Sequence, residues 1–327
     1  MGDAVADLAR RLTATFGGER VRTHVPLAPF TTFKVGGPAD LLFEPRSSAD
    51  MTRALVMAGD AGVPVTVLGG GSNVLIGDGG VRGLVLRPRG GAVSLESPGH
   101  VRADSAITIN ELVRWTIGRG LAGVEAWAGT PGTVGGGVYG NAHWAGHLLS
   151  ELIESVRLWQ PGGTVVDTPA AEMDFGYDRS RLQRTGEVLL SARFIVRPGD
   201  PAALRATARQ SLAYRKRTQP LHVPSAGCIF QNPAPGETLP DGMPRSAGAL
   251  VDRAGMKGAR EGRAVVSPTH ANFIVNEGGA TAGEIRALIE ACRAAVRHRH
   301  GVELRDEIAY VGEFAVESEV PRVHPAD

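Results

Sequence analysis

The pattern of apolar and polar positions in residues 39–73 predicts a strand, a helix and a second strand. Residues 39–43 form a short, mostly apolar run, and residues 63–68 form a valine-rich one. Between them the apolar positions follow the i, i+3, i+4, i+7 spacing of one helix face, at Met51, Ala54, Leu55 and Ala58. The second strand leads directly into a glycine-rich stretch at residues 69–73. Because open α/β sheets bind ligands at the carboxyl ends of their strands, this stretch is predicted to be a binding loop.

The pattern further along the chain predicts a mixed succession of helices and strands. Helices are predicted at residues 105–118 and 202–214, and strands at 81–86, 155–159, 188–196 and 303–310. A last helix is predicted behind Thr281, which forms a T-x-x-E capping box with Glu284. Cys292 lies on the apolar face of that helix, so we expect it to be packed in a core. The Gly- and Pro-rich stretch 87–98 indicates a domain boundary.

Length and composition bound the class of protein. The chain has 327 residues, enough for about two domains or three small ones. Lys and Arg total 35 against 34 Asp and Glu, so the chain lacks the basic excess of a nucleic-acid-binding protein. No apolar run approaches the ~20 residues that cross a bilayer, and the N-terminal residues lack the apolar region of a secretory signal. We therefore expect a cytoplasmic protein without membrane insertion.

The number and spacing of the cysteines and histidines argue against a metal site. Cys228 and Cys292 supply neither a disulfide framework nor a four-thiolate site. Cys228 on its own fits either a buried hydrophobe or a functional thiol. His143 and His147 have the spacing of two ligands on one helix face, but the Glu of an H-E-x-x-H motif is missing. We interpret them as loop histidines and expect no metal.

The 44 glycines are clustered, and two clusters suit a phosphate-bearing ligand. One is residues 69–73 and the other is residues 129–140. Residues 135–140 satisfy G-x-G-x-x-G, but no strand precedes them, so a Rossmann site is disfavoured. Both clusters offer backbone N–H groups that can approach a pyrophosphate. A side chain added at Gly70 or Gly132 is expected to obstruct that approach.

Six short blocks of sequence are specific enough to compare with a known family. They are T-T-F-K-V-G-G-P-A-D from Thr31, G-G-G-S-N-V-L from Gly69, G-T-P-G-T-V-G-G from Gly129, Q-P at Gln219, F-Q-N-P from Phe230 and S-P-T-H-A-N-F-I-V-N from Ser267. In this order and spacing they resemble the UDP-N-acetylenolpyruvoylglucosamine reductases, the MurB flavoenzymes. The resemblance runs from about residue 23 to residue 312, nearly the whole chain.

The resemblance implies an α+β protein. An FAD-binding fold of the vanillyl-alcohol-oxidase/PCMH type, made of two α/β lobes, is followed by a C-terminal α+β lobe that binds the substrate. The implied division is a first FAD lobe at residues 1–92, a second at 93–212, the substrate lobe at 213–312 and a polar tail at 313–327. The chain looks like the shorter, type II subclass of the family.

The resemblance also implies a reaction and its partners. Family members use NADPH to reduce the enolpyruvyl ether of UDP-N-acetylglucosamine to a lactyl ether, in peptidoglycan precursor synthesis. The flavin carries the hydride. No His or Cys in the flavin loops matches a covalent attachment site, so we expect non-covalent FAD. The expected partners are NADPH and UDP-N-acetylglucosamine enolpyruvate, with no nucleic acid, and the expected state is a monomer.

Three sets of site residues follow from the resemblance. The expected FAD contacts are Gly69, Gly70, Gly71, Ser72, Asn73, Gly129, Thr130, Gly132, Thr133, Gly135 and Gly136. The expected contacts to the UDP-sugar are Tyr177, Arg217, Gln219 and Asn232. The expected catalytic residues are Cys228 in place of the family's serine proton donor, Glu307 at the family's final Glu, and Arg179.

The chain departs from the family pattern at three further places. Asp178 stands where F-x-Y-R-x-S has its Arg, so either the local backbone is irregular or Arg181 or another cation substitutes. His143 and Trp144 interrupt the usual N-A-G-x-Y-G, and Gln231 stands where Lys is more common. Two alternatives therefore stay open: a flavoprotein of the same superfamily with a different substrate, and a non-catalytic protein that binds flavin or a UDP-sugar.

Overall fold

The computed structural model describes residues 2–315, which divide into two compact units. Unit 1 contains residues 2–25, 40–70 and 82–214, and unit 2 contains residues 26–39, 71–81 and 215–315. Two segments of the predicted first lobe, 26–39 and 71–81, thus belong to unit 2. The predicted lobe boundaries stay predictions, and most of the predicted tail lies outside the described residues.

Helices and short strands alternate along residues 2–315. The α-helices are α1 (Gly2–Phe16), α2 (Ser48–Asp60), α3 (Ile109–Ile117), α4 (Val134–Tyr139), α5 (Leu182–Thr185), α6 (Pro201–Thr218), α7 (Ala247–Arg253) and α8 (Ala282–His300). The strands are β1 (Val21–Pro26), β2 (Pro38–Phe43), β3 (Val65–Val67), β4 (Val74–Ile76), β5 (Val81–Leu86), β6 (Val93–Ser97), β7 (His100–Asp104), β8 (Leu121–Ala122), β9 (His143–Trp144), β10 (His147–Leu148), β11 (Ile153–Trp159), β12 (Val165–Pro169), β13 (Val188–Ile195), β14 (Arg197–Pro198), β15 (Arg260–Glu261), β16 (Ala264–Val266), β17 (Ile274–Asn276) and β18 (Ala309–Val311). None of the helices in this part of the chain is long and apolar enough to cross a membrane.

The predicted strand, helix and strand at the start of unit 1 are confirmed as β2, α2 and β3. Helix α2 begins after Ser47, whose hydroxyl accepts a hydrogen bond from the Asp50 N–H at 3.1 Å. Such a cap stabilises a helix by about 1 kcal/mol. The predicted apolar face of α2 is buried in one core with α1 and the sheet ordered β1-β2-β5-β3. Burial of each large aliphatic side chain contributes about 1.5–3 kcal/mol, so this face holds α2 in place.

A five-stranded antiparallel sheet, ordered β12-β11-β13-β7-β6, forms the rest of the framework of unit 1. Its core is shared with α3 and α4. The edge strand β6 lies within the stretch 87–98, where the sequence predicted only a domain boundary, so that prediction missed a strand. Because β6 is at the sheet edge, Leu95 is exposed and Val93 only half-buried, which leaves a weak apolar signal.

The core of unit 2 is built around α8. The predicted capping box is confirmed: the Thr281 hydroxyl accepts from the Glu284 N–H at 3.1 Å, and the Glu284 carboxylate accepts from the Thr281 N–H at 3.0 Å. Cys292 is buried on the apolar face of α8, as expected, and burial raises the pKa of its thiol to about 12. It is therefore a packing residue.

The segment predicted as a final strand at residues 303–310 has two separate pairings in unit 2. Asp306 forms an isolated antiparallel bridge with Phe230, whereas β18 pairs in parallel with β4. Because the segment changes partner between residues 306 and 309, it cannot form one continuous ladder. The prediction of a single strand over residues 303–310 is therefore wrong in its extent. Residues 309–311 form a strand, and residue 306 forms only a separate bridge.

Candidate active site

The two glycine clusters contact each other through their backbones in unit 1. A Cβ atom built on Gly70 would lie 2.7 Å from the Cα of Gly132, and one built on Gly69 would lie 2.7 Å from the Oγ1 of Thr133. Real Cβ atoms do not approach so closely. Glycine at position 70 is therefore required by the backbone contact, and a side chain at position 69 would displace the Thr133 hydroxyl, whereas the sequence related both glycines only to a ligand.

The glycine clusters also carry backbone N–H groups that find no acceptor in the described part of the chain. In unit 1 the N–H groups of Gly69, Gly70, Gly132 and Thr133 donate to no acceptor within residues 2–315. In unit 2 the same is true of Gly71, Ser72 and Asn73. Backbone N–H groups are normally paired, and a run of unpaired ones is a site for an anion such as a pyrophosphate. The residues present therefore fit the diphosphate of FAD.

The other predicted flavin residues in unit 1 have structural partners. The Gly129 N–H donates to the side chain of Asn110 at 2.7 Å, and the Gly135 N–H donates to the carbonyl of Ser105 at 2.8 Å. The Gly136 N–H donates to the Thr133 hydroxyl at 3.3 Å, which caps α4. Thr130 is buried. These residues hold the second glycine cluster in shape, and their contact with FAD stays a prediction.

In unit 2 the glycine segment is held by the first sequence block. The Thr32 N–H donates to the Gly71 carbonyl at 2.9 Å, and the Thr32 hydroxyl reaches the same oxygen at 3.3 Å. Gly71 has φ +62, and a Cβ there would collide with the Phe30 carbonyl. Only glycine satisfies both the left-handed backbone and this contact.

Two predicted catalytic residues are carried by adjacent backbone segments of unit 2. The Glu307 N–H donates to the carbonyl of Ile229, the residue after Cys228, at 2.8 Å. Phe230 and Asp306 form the antiparallel bridge next to it. Cys228 and Glu307 are both partly buried. The structure thus brings the segments that carry these two residues together.

Asn272 fixes the segment that follows Cys228, and the sequence analysis gave it no role. Its carbonyl accepts from the Ile229 N–H at 2.8 Å. Its side chain pairs with both backbone groups of Phe230, accepting from the N–H at 2.9 Å and donating to the carbonyl at 2.8 Å. The sequence did give an indication, because Asn272 lies within the family-like block that begins at Ser267. Its pairing with Phe230, however, could not be predicted from the sequence.

Arg215 is a second residue that the sequence analysis missed. It is only 5% exposed, near the end of α6. Burial lowers the pKa of Arg215 to about 10. A negative charge on Cys228 acts in the opposite direction and offsets only part of this effect. The guanidinium is thus still protonated at neutral pH and is electrostatically coupled to Cys228. Arg215 follows Leu204 and Ala208 on one helix face, so the helical spacing could have revealed it as buried.

The predicted UDP-sugar residues lie in both units. Tyr177 is 41% exposed, in unit 1, whereas Arg217, Gln219 and Asn232 are in unit 2. The side-chain oxygen of Asn232 accepts from the N–H of Ala247 at the start of α7, at 2.9 Å. The Gln219 N–H donates to the Arg215 carbonyl at 2.9 Å. Asn232 therefore has a structural role as well, and the substrate role of these residues stays a prediction.

The backbone around Asp178 is irregular. Gly176 and Arg179 exchange both backbone hydrogen bonds, so Tyr177 and Asp178 form the tip of a tight turn rather than part of a strand. Asp178 has φ +52, a left-handed conformation that Asp tolerates. The local backbone is therefore irregular, as one of the two alternatives expected, and the replacement of the motif arginine by another cation stays a prediction.

Both arginines that follow Asp178 pair with carboxylates in unit 1. The Arg179 guanidinium lies 3.2 Å from Asp174 and is 54% exposed. The Arg181 guanidinium forms two hydrogen bonds with the Glu187 carboxylate, at 2.8 and 2.7 Å. The catalytic role of Arg179 stays a prediction.

His143 contacts Asp178, which the sequence did not indicate. Its Nδ1 lies 3.0 Å from the Asp178 carboxylate, and its Nε2 lies 3.3 Å from the Tyr177 hydroxyl. His147, by contrast, is 73% exposed and pairs with Glu151. Both histidines lie on the short paired strands β9 and β10 rather than in a loop, and of the two only His143 is part of a partly buried network.

Comparisons with known proteins cover most of the chain. Residues 39–169 match the FAD binding domain family, and residues 219–311 match the family of the UDP-N-acetylenolpyruvoylglucosamine reductase C-terminal domain. The chain is 39% identical over 295 residues to UDP-N-acetylenolpyruvoylglucosamine reductase 2 of Symbiobacterium thermophilum, covering 90% of this chain and 92% of that one. It is 41% identical over 293 residues to the reductase of Rubrobacter xylanophilus, covering 88% and 94%.

A solved structure gives the same result. The structure of UDP-N-acetylenolpyruvylglucosamine reductase from Thermus caldophilus matches with a TM-score of 0.75 and 31% identity. The match covers 89% of this chain and 99% of that one. Relatives and structure therefore agree over nearly the full length of each chain.

Proposed function

Because the chain belongs to the family of UDP-N-acetylenolpyruvoylglucosamine reductases, we propose a role for each of its candidate site residues in that reaction. The chain is a flavin-dependent oxidoreductase of peptidoglycan precursor synthesis. It uses NADPH and FAD to reduce UDP-N-acetylglucosamine enolpyruvate to UDP-N-acetylmuramate. The predicted α+β fold with an FAD-binding domain is confirmed by the same matches, and a C-terminal domain follows it at residues 219–311.

The glycine clusters hold the cofactor in this proposal. FAD, when bound, supplies the hydride chemistry of the reaction. The N–H groups of residues 69–73 and of Gly132 and Thr133, which have no acceptor within residues 2–315, are the donors proposed for its diphosphate. Gly129, Thr130, Gly135 and Gly136 complete the second cluster. No covalent bond from the protein is required.

Cys228 and Glu307 are the proposed acids of the substrate half-reaction. Reduction of the enolpyruvyl double bond adds hydride to one carbon and a proton to its neighbour, and we assign the proton to the Cys228 thiol. The hydrogen bond from the Glu307 N–H to the Ile229 carbonyl is the observation that best supports this assignment, because it holds the segments that carry Cys228 and Glu307 side by side. Arg215 would stabilise the thiolate that remains until solvent returns the proton.

Tyr177, Arg217, Gln219 and Asn232 are proposed to contact the UDP-sugar. Tyr177 has an exposed phenol, which supports a contact to a ligand. Arg217 lies in the last turn of α6, and Gln219 directly follows that helix. An arginine suits a diphosphate because its fork of N–H donors matches phosphate oxygens.

The test separates the two half-reactions of the purified holoprotein. NADPH should bleach the flavin absorbance under anaerobic conditions, and UDP-N-acetylglucosamine enolpyruvate should then restore it. UDP-N-acetylglucosamine, which lacks the enolpyruvyl group, is the control and should restore nothing. A reduced flavin that oxygen reoxidises but the enolpyruvyl substrate does not would point to a different substrate, and a protein purified without flavin would point to a binding function.

The cellular location and assembly are proposed on sequence grounds. Cys228 and Cys292 form no disulfide bond within residues 2–315, which supports a reducing compartment such as the cytoplasm. The monomer is the simplest state for the chain, and light scattering of the holoprotein tests it. A mass of twice 34.3 kDa would refute the monomer.

A further inference from the structure

Two of the places where the chain departs from its family motifs are in direct contact. Asp178 replaces the motif arginine, and His143 replaces the glycine of N-A-G-x-Y-G, 35 residues earlier. The Nδ1 of His143 lies 3.0 Å from a carboxylate oxygen of Asp178. Asp178 thus removes the positive charge of the motif arginine, and His143, which contacts it, adds an imidazole that is able to carry a positive charge.

The contact belongs to a chain of three groups that runs from the interior to the surface of unit 1. The Asp178 side chain is 9% exposed and the His143 side chain 26%. Tyr177, whose hydroxyl lies 3.3 Å from the Nε2 of His143, is 41% exposed. The imidazole and phenol rings are also stacked at a tilt, with centroids 4.6 Å apart. The imidazole thus links a buried carboxylate to an exposed phenol.

The Asp178 carboxylate needs a positive partner. Its second oxygen is buried and accepts no hydrogen bond within residues 2–315. An ionised carboxylate that is buried without a paired charge costs several kcal/mol, and the His143 imidazole 3.0 Å away is the adjacent group that can supply that charge. Arg179 and Arg181 do not fill this need, because they pair with Asp174 and Glu187 instead.

The backbone holds the pair in a fixed arrangement. Asn141 is fully buried, and its side chain donates to the Gly176 carbonyl at 2.8 Å. The same side chain accepts from the Ser150 N–H at 3.0 Å. Asn141 thereby ties the segment that carries His143 to the turn that carries Asp178. A preorganised cation of this kind needs little further ordering to bind an anion.

We propose that His143, held by Asp178, is the cation that contacts the substrate carboxylate in this chain, in place of the motif arginine. The proposal rests on the proposed function, since it names the anion as the carboxylate of the enolpyruvyl group. His143 is the contacting residue and Asp178 is a positioning residue. Negative charge that develops on that carboxylate during reduction is stabilised by an adjacent positive donor.

The first test removes the imidazole. His143→Ala, and His143→Gln as a variant of similar bulk, should slow the reoxidation of reduced flavin by the enolpyruvyl substrate by about 10- to 100-fold, as the loss of a hydrogen bond to a charged group does. Reduction of the flavin by NADPH should stay within about twofold of wild type, because that step does not involve the substrate carboxylate. His147→Ala is the matched control, because His147 is exposed on the neighbouring strand, and it should change neither half-reaction.

The second test restores the family residues. Asp178→Arg alone places an arginine against the imidazole and should lower substrate-dependent reoxidation by about tenfold or more. The double variant His143→Gly with Asp178→Arg should recover most of the wild-type rate, which a merely structural role of the pair would not predict. Flavin content and far-ultraviolet circular dichroism report whether each variant is folded.

The outcomes separate this proposal from the proposed function. If wild type is reoxidised by the substrate and His143→Ala and His143→Gln are equally fast, the pair proposal is wrong and the function stands. If the substrate does not reoxidise wild type, the function fails and the pair proposal falls with it. A double variant no faster than Asp178→Arg alone would also overturn the replacement of the arginine by the pair.

Discussion

The side-chain amide of Asn73 donates a hydrogen bond of 3.0 Å to the backbone carbonyl of Glu307, 234 residues further along the chain. The Asn73 carbonyl accepts another, also of 3.0 Å, from the N–H of Ala309. A residue of the first glycine cluster is therefore fixed to the segment that carries a proposed acid, within unit 2. This pairing couples the proposed cofactor loop to the position of Glu307.

Asn73→Asp should weaken that coupling without changing the size of the side chain. The carboxylate has no N–H to donate, and it faces a carbonyl oxygen instead. We expect substrate-dependent flavin reoxidation to slow by about tenfold, in line with one lost hydrogen bond and a repulsive contact. Stopped-flow measurement of both half-reactions checks this. Equal slowing of flavin reduction by NADPH would mean that Asn73 acts on the cofactor alone.

Gly70→Val should disrupt the contact between the two glycine clusters. Its Cβ would lie 2.7 Å from the Cα of Gly132, so the clusters must separate, and we expect the protein to lose FAD and to melt at a lower temperature. Gly59→Ala is the control, because nothing lies within 4 Å of a Cβ at that helical position, and it should keep its FAD. Purification of Gly70→Val with full FAD content would contradict this placement.

Local signals in the sequence were sufficient for the elements that are defined by their own residues. The α2 face, the Ser47 cap and the Thr281–Glu284 capping box depend on residues three or four positions apart, so they could be predicted. The edge strand β6 could not, because an exposed strand has little apolar pattern. The N-terminal helix α1 was also missed, although it buries Leu8 and Leu12.

The candidate site depends more on pairings that are distant in sequence. The motif blocks located the glycine clusters, Cys228 and Glu307, because these are contiguous stretches of sequence. The contact between His143 and Asp178, and that between Asn272 and Phe230, join residues 35 and 42 positions apart. Only the fold determines such contacts, so the sequence could show each departure from the family motif but not that two of them meet.

The Arg181–Glu187 pair should make stability depend on pH. Burial alone would raise the pKa of Glu187, but hydrogen bonds from Arg181, Gln160 and Thr185 outweigh it and hold the pKa below its usual value. A carboxyl group with a lowered folded pKa stabilises the fold above its unfolded pKa of about 4.3. That contribution is lost as pH falls through the lower, folded value.

Arg181→Gln should therefore unfold more easily at neutral pH than wild type. It leaves the Glu187 carboxylate, 6% exposed, without its ion partner, and we expect a loss of about 1–3 kcal/mol in the free energy of unfolding. The difference should shrink at low pH, where Glu187 is protonated in both proteins. Arg184→Gln is the control, because its partner Asp174 is at the surface. Urea unfolding across a pH series measures both variants, and a constant difference at all pH values would contradict the assignment.

Cys228→Ser and Cys228→Ala should separate a proton donor from a packing residue. A thiol, whose reference pKa is about 8.5, can give its proton to a carbon that carries negative charge. Serine is the family's own donor, so Cys228→Ser should stay active, whereas Cys228→Ala should lose about 100-fold or more in substrate reduction. Flavin reduction by NADPH should survive in both variants, because that step takes no proton from residue 228.

Alkylation of the thiols gives an independent check of the same assignment. Cys292 is buried in the core of unit 2, so Cys292→Ala should leave both half-reactions close to wild type and identify Cys228 as the thiol that is modified. Alkylated wild type and alkylated Cys292→Ala should both lose substrate-dependent reoxidation, and Cys228→Ser should resist the reagent. The assignment would be contradicted if Cys228→Ala had normal turnover and alkylation left the wild type unaffected. Cys228 would then be a packing residue, because loss of a proton donor must slow the step that needs the proton.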